Sequence, residues 1–174
     1  VATQLERRES TRRDVVDAAL VAFTEAGHTG VTLDDIAADA GVAKSTVLYH
    51  FGSRLGVLRA VAIELFLRAE RRIARRARGA TAADWVRALL EEQLTATGRV
   101  LHQIGDELAQ HQALGEGDPM AYLVERLDGL GVEGEVEAVA AATLQFGRQL
   151  AYGQAGGADV DRMVTALQGG GRVA

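Results

Sequence analysis

The chain has 174 residues and a formal charge of -5, from 19 basic against 24 acidic side chains, which excludes a uniformly basic nucleic-acid coat but not a local basic face. Without cysteine there is no disulfide scaffold, thiolate zinc site, iron–sulfur cluster or cysteine nucleophile; without an apolar run near the ~20 residues of a membrane span, or an apolar signal segment in VATQLERRES, a soluble cytoplasmic protein with no membrane partner is expected. Hydrophobic residues make up 48% but aromatics only 5%, with one proline, so the core is Ala, Val and Leu, helices can run long, and the expected class is all-α.

The charge is unevenly placed. Residues 1–51 carry 5 basic and 8 acidic groups, residues 52–78 carry 8 and 2, and residues 79–174 carry 6 and 14. This shift predicts two modules joined near Gly52, residues 1–52 and 53–174. Along the first, Val15, Val16, Ala19, Leu20, Ala22 and Phe23 recur at helical spacing from Thr11 until Gly27. Thr32 with Asp35 three residues on caps a short second helix carrying Leu33, Ile36 and Ala37 inward, which Gly41 stops. Lys44 to Phe51 forms a third, with Val47 and Phe51 one turn apart, and Ser53 caps a long fourth from about Arg54 to Arg78.

Further helices are expected at about Ala82 to Thr97, Val100 to Gln112, Pro119 to Leu127, Glu135 to Gly153 and Val160 to Leu167. Gly98, Gly115/Gly117, Gly129/Gly131 and Gly156/Gly157 punctuate them, and the tail Gly169-Gly170-Gly171 is expected to be disordered.

Thr32 to Phe51 has the sequence form of a helix-turn-helix. Ala37 is small where two helices cross, Gly41 suits a left-handed turn, and Val42 plugs the angle between them. With Val47 and Phe51 inward, Ser45 and Tyr49 lie on the opposite face, flanked by Lys44, Thr46, Leu48 and His50. That polar, aromatic face suits a helix entering the major groove of DNA. The bland alternative is a helical hairpin in an ordinary core. Asp34, Asp35 and Asp39 fall on the supporting helix, which leaves Arg7, Arg8, Arg12, Arg13, Lys44 and Arg54 as DNA-facing charges.

Over about residues 11–58, RRDVVDAALVAFTEAG, then TLDDIAADAGVAKSTVLYHF, then GSRLGVL, the chain resembles the TetR family of bacterial transcriptional regulators. The resemblance implies an N-terminal three-helix DNA-binding module followed by a C-terminal helical domain for ligand binding and dimerisation. Operator contacts would come from Thr32, Lys44, Ser45, Thr46, Leu48, Tyr49, His50 and Arg54. Leu48 stands where many members have tyrosine, so that phosphate contact is either lost or moved to Tyr49. Arg54 replaces the family's lysine, keeping the charge in forked form, and Ala43 replaces a frequent serine, removing a cap.

One short recognition helix reads few base pairs, so a dimer on a pseudo-palindromic operator is expected. The apolar, small-residue stripe Val136, Val139, Ala140, Thr143, Leu144, Gly147 and Leu150, with Met163, Val164 and Leu167, is its candidate interface; an intramolecular buried stripe is the alternative. Trp85, Leu89, Gln93, Leu101, His102, Asp106, Tyr122, Gln145 and Phe146 are candidate lining for a small-molecule effector site, against plain core packing. Gln93, His102 and Gln145 stand out as polar groups in apolar stretches.

The run Arg68, Arg71, Arg72, Arg75, Arg76 and Arg78 leads away from the recognition helix and is expected to pair with the acidic C-terminal half. No cofactor, metal or catalytic residue is expected. Ser10, Ser45 and Ser53, the only serines, sit in no nucleophile elbow. The His102/Asp106 and Glu107/His111 pairs have i,i+4 spacing, but His102 and His111 are nine residues apart, about half a turn out of phase, so one helix cannot aim both at one ion. The expected function is a homodimeric repressor released from its operator by an effector. The alternatives are an activator or corepressor-dependent regulator, and, from another class, an enzyme or small-molecule carrier retaining the helical fold.

Overall fold

A computed structural model describes residues 3–77, 81–112, 119–132 and 136–168. The expectations for Arg78, Gly115, Gly117, Glu135 and Gly169-Gly170-Gly171 fall outside the described residues. Among those described, every element is a helix: α1 (Gln4–Ala26), α2 (Leu33–Asp39), α3 (Lys44–Phe51), α4 (Arg54–Arg76), α5 (Ala82–Gln93), α6 (Ala96–Gln110), α7 (Pro119–Gly129), α8 (Val136–Ala151) and α9 (Gly157–Gln168). None is long and apolar enough to cross a membrane.

The helix starts follow from local hydrogen bonding. α1 begins at Gln4 rather than Thr11 because Thr3 and Glu6 cap it reciprocally: the Glu6 amide donates to Thr3 Oγ1 at 3.2 Å, and the Thr3 amide to Glu6 Oε2 at 2.6 Å. Thr32 and Asp35 repeat the device at α2. There the Thr32 hydroxyl and amide, both donating to Asp35, hold its carboxyl below the usual range. α3 starts without a side-chain cap, as Ala43 implies. Gly41 and Gly52 end α2 and α3 at φ +66° and +74°, a left-handed backbone that favours glycine.

The stretch expected as one helix to Thr97 breaks earlier. Thr95 Oγ1 donates to the Glu92 carbonyl at 2.7 Å and accepts from the Gly98 amide at 2.9 Å, which ends α5 and caps α6. Gly98 is therefore no punctuation. It lies in the first turn of α6, where a Cβ would overlap the Glu92 carbonyl oxygen.

The helices group into two compact units that divide within α4 and α6. One comprises α1 to α3, α4 up to Phe66, and α6 from Gln103; the other comprises α4 from Leu67, α5, α6 up to His102, and α7 to α9. In the first, α1, α2 and α3 pack on one another and bury Val15, Ala19, Phe23, Ile36, Ala37 and Val47. In the second, α5 packs on α8 and α9, and α7 on α8, around Trp85, Leu90, Leu127, Leu150 and Val164.

The expected dimer stripe faces inward. Ala140, Thr143, Gly147, Leu150, Met163 and Val164 are buried within the single chain, and Val136, Val139, Leu144 and Leu167 pack partly against the same core. A Cβ on Gly147 would stand 3.5 Å from Gln93 Cγ and 3.7 Å from His102 Nε2, so α8 turns this side toward α5 and α6. Small residues mark a close helix approach without saying whether the neighbour is in the same chain.

Candidate nucleic-acid interface

The recognition face is built on α3 and held from behind by α1 and α2. Val47 is fully buried, whereas Ser45, Leu48 and Tyr49 are exposed and Thr46 and His50 half-buried. This is the division expected from the spacing of Val47 and Phe51. Tyr49 is 72% exposed. Its ring meets the His50 ring edge-on at 5.2 Å, and the Arg8 guanidinium lies 5.5 Å from its centroid.

One turn along α1, Arg12 donates to the His50 carbonyl at 2.6 Å while its guanidinium sits 4.6 Å from the Phe51 centroid. Thus α1 clasps the C-terminal end of α3 through two arginines. Burial, then the Arg8 and Arg12 charges, hold His50 below the ordinary imidazole range. Its neutral form favours the fold. That contribution is present above the ordinary histidine range and is lost as pH falls.

Not every expected contact is free for DNA. The Thr32 hydroxyl is engaged in capping, donating to Asp35 Oδ2 at 2.6 Å. Lys44 pairs with Asp34 at 2.7 Å in an exposed bridge, which is worth little and can exchange for a phosphate. Arg54, expected as a phosphate contact, is engaged within the chain. Its guanidinium donates to Glu107 Oε1 and to the His28 carbonyl, each at 2.5 Å, and its side chain is only 32% exposed. Glu107 Oε2 lies 2.9 Å from His28 Nε2. One α6 carboxylate therefore ties the start of α4 to the loop between α1 and α2. The sequence carries no signal for this, because the partners are separated by 53 and 26 positions.

In the second unit, Arg72 Nε donates to Glu92 Oε1 at 2.9 Å, in keeping with the expected pairing of the basic run. Of the expected effector residues, Trp85 and Gln93 are buried, and Gln93 and His102 each lie beside Gly147. Among the described residues, Gln93 Oε1 and Trp85 Nε1 are buried without a hydrogen-bond partner. Burial, then the Glu70 carboxylate, pushes the Tyr122 phenol up. Leu89, Leu101 and Phe146 are half-buried, but Gln145 is exposed and needs no internal partner. Asp106 belongs to the other unit.

A sequence profile described as bacterial regulatory proteins, tetR family, matches residues 15–61, the stretch that contains α2, α3 and their supports. This module matches the DNA-binding part of the TetR family. The HTH-type transcriptional regulator SrpR of Pseudomonas putida is 47% identical over 53 residues, 30% of this chain and 25% of SrpR. IcaR of Staphylococcus aureus strain Newman, the HTH-type negative transcriptional regulator of the icaADBC biofilm operon, is 40% identical over 43 residues, 25% of this chain and 23% of IcaR. The chain spans about a quarter of the length of these two relatives.

Structural likeness reaches further along the chain. A TetR-family transcriptional regulator from Pectobacterium atrosepticum has a TM-score of 0.70 at 26% identity, covering 96% of this chain and 94% of that one. The multidrug binding protein EbrR, solved with imidazole, shares the fold at a TM-score of 0.73 and 16% identity, over 96% and 97% of the two chains. SrpR, IcaR and the Pectobacterium protein are each described as transcriptional regulators.

Proposed function

We propose that this chain is a homodimeric transcriptional repressor that binds a pseudo-palindromic operator through α3 and is released by a small-molecule effector bound in the second unit. The observation that carries the DNA-binding reading is the exposed face Ser45, Leu48 and Tyr49 on a short helix whose back is locked by buried Val47 and by the α1 arginines. The negative regulation named for IcaR supports repression. For effector binding, the support is the buried, unpartnered Gln93 oxygen and Trp85 nitrogen, since such groups ordinarily find a partner, together with the ligand held by a protein of the same fold.

Selection of DNA from a random pool at near-physiological salt tests the reading. Recovery of an inverted repeat supports it, and recovery of no preferred sequence sinks it. On the selected operator, Lys44→Ala is expected to weaken binding to all sequences alike and to flatten the plot of log affinity against log salt by about 1. Arg54→Ala is expected to leave that slope unchanged, because its guanidinium is engaged by Glu107 and His28. A slope change for Arg54 alone would reverse the assignment.

The dimer face is drawn on the outer side of α8, where Ala138, Ala141, Gln145 and Arg148 are exposed at spacings of three and four. An Ala141→Arg substitution there is expected to give folded monomers with poor operator binding. Gly147→Arg, forced into the core beside Gln93, is expected to unfold the second unit instead. Sedimentation with circular dichroism separates the two outcomes, and an intact Ala141→Arg dimer would place the interface elsewhere.

A further inference from the structure

The early start of α1 places an arginine where the spacing of α3 alone gives no reason to look. Because Thr3 and Glu6 cap the helix at Gln4, Arg8 lies within it and its guanidinium faces the Tyr49 ring, 5.5 Å from the centroid. Arg12 beside it is fixed by a hydrogen bond to the His50 carbonyl. Among the described residues, no carboxylate or carbonyl is hydrogen-bonded to Arg8. The guanidinium lies over the Tyr49 ring, and its N–H donors remain available to an anion.

We propose that Arg8 is a positioning residue for sequence reading: it holds the exposed Tyr49 ring against one base step and at the same time binds the neighbouring phosphate. An exposed aromatic ring rotates about two side-chain torsions, and a reader that rotates discriminates poorly. A guanidinium on one face and the His50 edge at 5.2 Å restrict that freedom before DNA arrives. Phosphate binding by the same guanidinium then couples backbone contact to base contact. Residue 8 thus influences operator preference without itself touching a base. This rests on the DNA-binding reading and goes beyond it, since a plain phosphate contact carries no sequence information.

The test uses the full chain and the operator selected from a random pool, with single-base-pair variants at each position of a half-site. Arg8→Ala is expected to flatten the salt slope by about 1 and to lose about 2- to 5-fold in discrimination at the base pairs that Tyr49→Ala also affects, the range of an exposed cation–π contact. In the double variant the loss in discrimination should equal that of Tyr49→Ala alone. Arg8→Lys should restore the salt slope but only part of the discrimination. Uniform loss across all operator variants, with effects that add to those of Tyr49→Ala, would reduce Arg8 to a phosphate contact and overturn the proposal. So would unchanged binding by Arg8→Ala, or unchanged preference in Tyr49→Ala. A wild-type chain that selects no sequence overturns the regulator reading itself, an outcome separate from these.

Discussion

Replacing Glu107 with leucine is expected to lower the stability of the unit containing α1 to α3 by about 3 to 4 kcal/mol, the lower part of the range for breaking a buried ion pair. The lower part applies because the Arg54 side chain keeps 32% of its exposure and water can partly solvate the abandoned charge. Leucine removes the acceptor for Arg54 Nη1 and the partner of His28 Nε2 together. Pairing that leucine with Arg54→Met should recover a substantial part of the loss, since removing both charges leaves nothing unpaired. Urea unfolding measures both. An unshifted midpoint for Glu107→Leu would mean that the three groups are not held together in solution. The same variant should weaken operator binding without changing its salt slope, because the damage is to the footing of α4 and of the loop before α2, not to a phosphate contact.

The contrast between α3 and this cluster explains what a single sequence can reveal. Lys44 to Phe51 is bounded by its own neighbours: Gly41 and Gly52 punctuate it, and the spacing of Val47 and Phe51 assigns its inner and outer faces. The caps at Thr32 and Thr3 are equally local, and the second escaped only because the apolar periodicity of α1 does not extend to it. Thr95 shows the limit of punctuation by glycine. The break between α5 and α6 is set by a threonine hydroxyl, while Gly98 serves close packing. Arg54 and the α8 stripe show the limit of local reasoning altogether. A basic residue after a recognition helix and small residues at helical spacing each state a chemistry, but their partners are chosen by tertiary packing. Here those partners are Glu107 for Arg54, and Gln93, Leu90 and His102 around Gly147.

Gly56→Ala is expected to cost about 3 kcal/mol or more, an effect of the size reserved for forced backbone rearrangement. A Cβ at this position would overlap the Phe51 carbonyl oxygen and lie 2.9 Å from its carbon. Neither atom can move like the tip of a flexible side chain. Phe51 is the last residue of α3 and its ring carries the Arg12 guanidinium, so relief by shifting the α3–α4 junction would also disturb the clasp from α1. Operator affinity should fall together with stability. Gly105 supplies the internal comparison: it lies in α6, and a Cβ there meets nothing within 4 Å. Gly105→Ala is therefore expected to stabilise the chain by about 0.4 to 1 kcal/mol, through reduced freedom of the unfolded chain and better helix propensity. Thermal or urea unfolding of the two variants should move in opposite directions. A Gly56→Ala protein as stable as the parent would show that α3 and α4 approach less closely than this junction requires.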